Sequence, residues 1–100
     1  ASIPKYFATP ELRLECEEEK KSEVVAKIVA SFKEKYNVID IDGARVILDN
    51  GWCLVRQSNT EPVLIARAEG KTPEDLEEIK KILKEELLKY PEIKLDGKID

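Results

Sequence analysis

Between residues 11 and 16 the chain alternates strictly: Leu12, Leu14 and Cys16 on one side, Glu11, Arg13 and Glu15 on the other. That period of two predicts a half-buried strand. From Glu17 to Tyr36 the period lengthens, and Val24, Val25, Ile28, Val29, Phe32 and Tyr36 form one apolar stripe of a helix. Glu17, Glu18 and Glu19 fall near its start, where carboxylates favour the positive end of the helix dipole; the same cluster could serve a metal, but a charged first turn is the simpler reading. Residues 38–42 and 44–48 read as strand interrupted at Asp42-Gly43. Asp49-Asn50-Gly51 signals a hairpin turn, with Trp52 to Arg56 as the return strand and Val63 to Glu69 as the next. Thr72-Pro73-Glu74-Asp75 opens a second helix, with Thr72 as N-cap and Pro73 at the first helical position. Leu76, Ile79, Leu83, Leu87 and Tyr90 give that helix its stripe, and Pro91 ends it.

The order is β-α-β-β-β-α. Hairpins join the central strands, so the expected fold is α+β: a two-layer sandwich of a mainly antiparallel four-stranded sheet with two helices on one face. The other face is left exposed or docks on another domain. Residues 1–10, with Pro4 and Pro10, read as an extended lead-in or hinge, 11–91 as the domain proper, and 92–100 as a tail with a short extended piece at Ile93 to Leu95.

One hundred residues make one domain. A net charge of −4 and a pI near 5 argue against a nucleic-acid partner, which would want a basic patch. No apolar run approaches the ~20 residues that cross a bilayer, and no secretory leader pattern occurs, so the expectation is a cytoplasmic location with no membrane partner. Cys16 and Cys53 fit two buried free thiols in a reducing compartment better than a disulfide. Histidine is absent, which removes the commonest general base and metal ligand. Methionine is absent too: either an initiator has been removed or the chain is a piece of something longer.

The richest chemistry lies in Arg56-Gln57-Ser58-Asn59-Thr60-Glu61-Pro62, between two strands. A guanidinium, two hydroxyls, an amide and backbone N–H groups are good donors for a dianionic phosphate. They contain no nucleophile–base pair, so no catalytic residue is expected, and the segment reads either as a phosphate loop or as an ordinary hairpin loop rich in turn formers. Glu61 is awkward beside an anion unless it points away or meets an arginine. Trp52 reads as packing, or as a surface for a sugar ring. Arg67 reads as a second phosphate contact or as a partner of Glu61 or Glu69. Tyr6 and Tyr36 read as packing residues.

Asp42-Gly43-Ala44-Arg45-Val46, Asn50-Gly51-Trp52-Cys53-Leu54-Val55-Arg56 and the Ser58-Asn59-Thr60-Glu61-Pro62 loop, followed by Arg67, resemble the C-terminal domain of the α-D-phosphohexomutases. The Ser-Asn-Thr form is similar to the phosphomannomutase/phosphoglucomutase branch; Ser-Gly-Thr is more typical of phosphoglucosamine mutases. Gln57 and Cys53 stand where smaller residues are commoner. The resemblance covers about residues 6–90 and implies one of four domains. The other three would carry the phosphoserine, the Mg²⁺-binding loop and the sugar-specificity loop, whose motifs this chain lacks. It implies substrate phosphate-binding by Arg56, Ser58, Asn59 and Thr60, no cofactor bound by this domain, and Mg²⁺ in the parent enzyme. The implied partners are a hexose phosphate or hexose bisphosphate and the other three domains. Alone, the domain would be inactive. The alternative is a non-enzymatic α+β interaction module that uses its exposed sheet face.

Overall fold

The computed structural model describes residues 7–41 and 43–95. Tyr6, Asp42, the rest of the lead-in before Phe7 and the tail from residue 96 lie outside the described residues. Four long strands form the centre: β2 (Leu12–Cys16), β4 (Ala44–Leu48), β5 (Gly51–Gln57) and β6 (Val63–Gly70). Three short ones extend it: β1 (Phe7–Ala8), β3 (Asn37–Ile39) and β7 (Ile93–Lys94). The sheet runs β3-β4-β5-β6-β2-β7, with β1 also on β6, and every pairing is antiparallel.

The two-layer α+β sandwich is therefore as expected, with seven strands where four were anticipated. Residues 38–48 make two strands rather than one interrupted strand. Gly43 has φ 120°, a conformation that lets the chain reverse there. The anticipated extended piece after Pro91 is β7, paired with β2 at Glu15↔Lys94 and Cys16↔Ile93.

Helices α1 (Lys21–Lys33) and α2 (Pro73–Leu87) cover one face. α1 buries Val24, Val25, Ile28 and Phe32, and Tyr36 packs edge-on against Phe32. Glu17, Glu18 and Glu19 precede the helix instead of forming its first turn. α2 starts as predicted: the Thr72 hydroxyl accepts from the Asp75 N–H at 3.0 Å, and Pro73 follows. It ends at Leu87, four residues before Pro91.

Alternation in the strands decides which side chains meet these helices. Leu12, Leu14, Cys16, Val46, Cys53, Val55, Leu64, Ala66 and Ala68 face them and are buried. Burying a large aliphatic side chain contributes about 1.5–3 kcal/mol, so this face holds the fold. Between the helices, buried Glu86 accepts from Ser31 Oγ at 3.0 Å and Tyr90 Oη at 2.7 Å, which satisfies a carboxylate in the core margin. Both cysteines are buried and free. Burial pushes the Cys53 thiol up to about 12, so it stays protonated and inert.

A candidate phosphate site at the end of the sheet

β5 delivers Arg56 to the end of the sheet, and residues 58–62 connect it to β6. Pro62 has no N–H, and the closing bonds are Ser58 N–H to Val63 O at 3.0 Å and Val63 N–H to Glu61 O at 2.8 Å. Ser58 is buried, and its hydroxyl accepts from the N–H groups of Thr60 and Glu61, each at 3.3 Å. This is a side chain mimicking a backbone turn. With both lone pairs used, its proton remains available to donate, and the Thr60 hydroxyl lies 3.5 Å away. Asn59 and Thr60 are exposed, and the Asn59 N–H has no partner among the described residues.

Arg56, Gln57 and Asn59 line a cavity of about 330 Å³, together with Val25, Ile41 and Gly43. Gln57 is held toward α1 by Ser22, whose hydroxyl donates to Oε1 at 3.1 Å. Gly43 is required here: a Cβ would sit 2.9 Å from both Cα and Cβ of Arg56. Gly43 thus lies against the arginine that the motif places two strands' length further on. Of the four residues expected to bind phosphate, the cavity brings Arg56 and Asn59 together; Ser58 and Thr60 stand in the adjoining turn.

The opposite side of the loop has the reverse character. A groove of about 680 Å³ there is lined by Glu15, Glu17, Glu61 and Glu92 with Cys16, Pro62, Val63, Pro91 and Lys94. Glu61 belongs to this groove, and its carboxylate pairs with Arg13. Its charge is therefore neutralised away from the Arg56 cavity. The Cys16 thiol is pushed up by burial and by the carboxylates of Glu92 and Glu17.

Register places all four arginines of the chain on the open face of the sheet. Arg13 and Arg56 flank Ile65 across neighbouring strands, and Arg45 and Arg67 flank Leu54. Arg13 is occupied by Glu11 and Glu61, and Arg45 lies over the Trp52 ring at 5.0 Å. Trp52 donates to Glu69 at 2.6 Å, so it is tied down as a packing residue. Arg67 pairs with neither Glu61 nor Glu69, because Arg13 and Trp52 have taken them. Among the described residues, neither Arg56 nor Arg67 has a carboxylate partner. In a chain of net charge −4, a face with two unpaired guanidiniums is an anion-seeking surface.

Lys21 is the participant that spacing did not single out. It is 2% exposed, and its ammonium donates to the carbonyls of Ser58 at 2.6 Å and Glu61 at 2.8 Å. Glu18 Oε2 is 3.0 Å away. A signal existed: Lys21 stands three, four and seven residues before Val24, Val25 and Ile28, on the buried stripe of α1.

Among the described residues no group of three carboxylate, thiol or imidazole side chains is placed to hold a metal, and no helix is long and apolar enough to cross a membrane.

Residues 11–86 match the family model for the phosphoglucomutase/phosphomannomutase C-terminal domain. A phosphomannomutase/phosphoglucomutase of Pseudomonas putida is 38% identical over 98 residues, 95% of this chain and 21% of the relative. A probable phosphoglucosamine mutase of Methanosarcina acetivorans is 43% identical over 89 residues, 87% of this chain and 20% of the relative. In a crystal structure of a phosphoglucomutase/phosphomannomutase family protein from Burkholderia thailandensis, the match has a TM-score of 0.71 and 32% identity, covering 84% of this chain and 18% of that one. The chain belongs to the phosphoglucomutase/phosphomannomutase family, whose C-terminal domain it matches. It spans about a fifth of the length of these relatives.

Proposed function

We propose that this domain grips the phosphate that is not being transferred while a parent phosphohexomutase interconverts the 1- and 6-phosphates of a hexose. The observation that carries this reading is that Arg56 lines one cavity with Asn59 and that, among the described residues, neither the Arg56 guanidinium nor the Asn59 N–H has a partner. The guanidinium offers a planar fork to two phosphate oxygens. The Asn59 amide and N–H, the Thr60 hydroxyl and the remaining Ser58 proton are donors on the same turn. Arg67, one strand across, adds unneutralised positive charge on the open face.

The role is positioning. A phosphate fixed at the remote end orients the reacting end and restricts its motion. Nothing in the site breaks a bond, so the phosphoserine and the Mg²⁺ belong to other domains of the parent, and the isolated chain is inactive. Closure of this domain over the sugar would exclude water from the phosphoenzyme.

In the full-length parent, Arg56→Ala should lower kcat/KM by roughly 10- to 100-fold, the worth of a charge-assisted hydrogen bond pair, with binding and turnover both affected. Steady-state kinetics on a hexose 1-phosphate measures this. Wild-type values for both parameters would refute the anchor.

A further inference from the structure

A lysine at the N-terminus of a helix is unfavourable on two counts. The dipole there repels a cation, and burial strips the ammonium of water. Lys21 opens α1 and is 2% exposed, yet its three N–H donors meet three acceptors: Ser58 O, Glu61 O and Glu18 Oε2. Two of these are backbone carbonyls at the two ends of the 58–61 turn, 37 and 40 residues away in the chain.

We propose that Lys21 is the positioning residue of the phosphate loop. By holding the carbonyls of Ser58 and Glu61 inward, it fixes the turn from behind. The groups left facing outward are then donors: the Asn59 N–H, the Asn59 side chain and the Thr60 hydroxyl. The Ser58 hydroxyl closes the turn from within, and Lys21 adds a second hold from another element, on the carbonyl side that the hydroxyl does not reach. The ammonium's charge is matched by the Glu18 carboxylate, so the hold is one of geometry rather than of net charge. Lys21 does not line the cavity, so it acts through the loop rather than on the ligand.

The phosphate part of this inference rests on the function proposed above; the hold on the loop does not. Both are read on the ¹⁵N-labelled chain, titrated with inorganic phosphate. Lys21→Met should weaken phosphate binding by about tenfold or more, the equivalent of one charge-assisted hydrogen bond lost from the loop's support. The amides of residues 58–61 should shift, and the hydrogen-bonded amides of Ser58, Thr60 and Glu61 should lose exchange protection while core amides keep theirs. Lys21→Arg, which keeps the charge, should recover part of the affinity. Glu86→Gln, buried between the helices away from the loop, should lower Tm and leave phosphate affinity unchanged, which separates positioning from general destabilisation.

Should Lys21→Met not fold, the wild-type side chain itself carries the test. Its ammonium resonance should exchange slowly and should move with phosphate at the same midpoint as the Asn59 amide. A Lys21→Met chain with wild-type loop shifts and affinity, or a freely exchanging ammonium indifferent to phosphate, overturns the proposal. A wild-type chain that binds no phosphate while Lys21→Met still loosens residues 58–61 refutes the phosphate reading and leaves the hold on the loop standing.

Discussion

Strand β5 ends in two turns of opposite design. At its start, residues 49 and 50 reverse the chain from β4, with Leu48 paired to Gly51. At its end, residues 58–62 reverse it into β6. The first turn is specified by local backbone chemistry. Gly51 has φ 151°, and a Cβ there would lie 2.6 Å from Ile79 and 2.9 Å from Gly70. Asn50 then ties it to α2, donating to Asp75 at 3.2 Å and Glu78 at 3.1 Å. The second turn has no glycine and is held by a buried lysine from another element. The first turn spends its polar groups on the protein itself. The second is braced from behind and leaves Arg56, Asn59 and Thr60 outward. A turn that serves only the fold can be closed on all sides; the turn proposed to receive phosphate has its support and its donors on opposite sides.

The sharpest way to break this comparison is Gly51→Ala. Strain at the positive φ and the contacts with Gly70 and Ile79 should cost about 3–4 kcal/mol. Urea unfolding measures it, and the shifts of residues 58–61 in the remaining native state should stay as in wild type. A loss below about 1 kcal/mol would mean that the turn relaxes freely and is not glycine-specified. Asn50→Ala should have a smaller effect, about 0.5–1 kcal/mol, because its two hydrogen bonds are partly exposed. Phosphate affinity should again be unchanged. A change in affinity would show that the two ends of β5 are coupled.

This difference also explains what was legible in the sequence. β2 and both helices follow from apolar periods of two and about 3.6, because burial on one face enforces them, whereas β5 and β6 are marked by the turn signals around them; β6 buries Val63 to Ala66 without alternation. The Thr72 cap and the Asn50-Gly51 turn are local rules and were readable. The reversal at Gly43 was legible only as an interruption: an Asp-Gly step marks a break in a strand without stating whether the chain bends or returns. Arg56, Ser58, Asn59 and Thr60 stand out in the sequence because donor chemistry is concentrated in one short segment.

What joins them to the rest was not readable in the same way. Lys21 sits in a Lys-Lys-Ser run that resembles solvated surface, and its acceptors are backbone carbonyls, which leave no mark in side-chain identity. The Arg13–Glu61 pair is equally remote in sequence, so the side of the loop that Glu61 occupies became clear only from the register of β2 on β6. Long-range polar contacts carry no period, and their partners are chosen by the fold rather than by neighbours in the chain.

The central claim is that the 56–60 segment is a preformed phosphate site. The most direct test is a ¹H–¹⁵N amide titration of this chain with glucose 1,6-bisphosphate, using sulfate as the control anion. Saturable shifts confined to residues 56–60, stronger for the bisphosphate than for sulfate, are the predicted result. A well-folded chain whose amides at 56–60 do not move, or move no more than with sulfate, would contradict it.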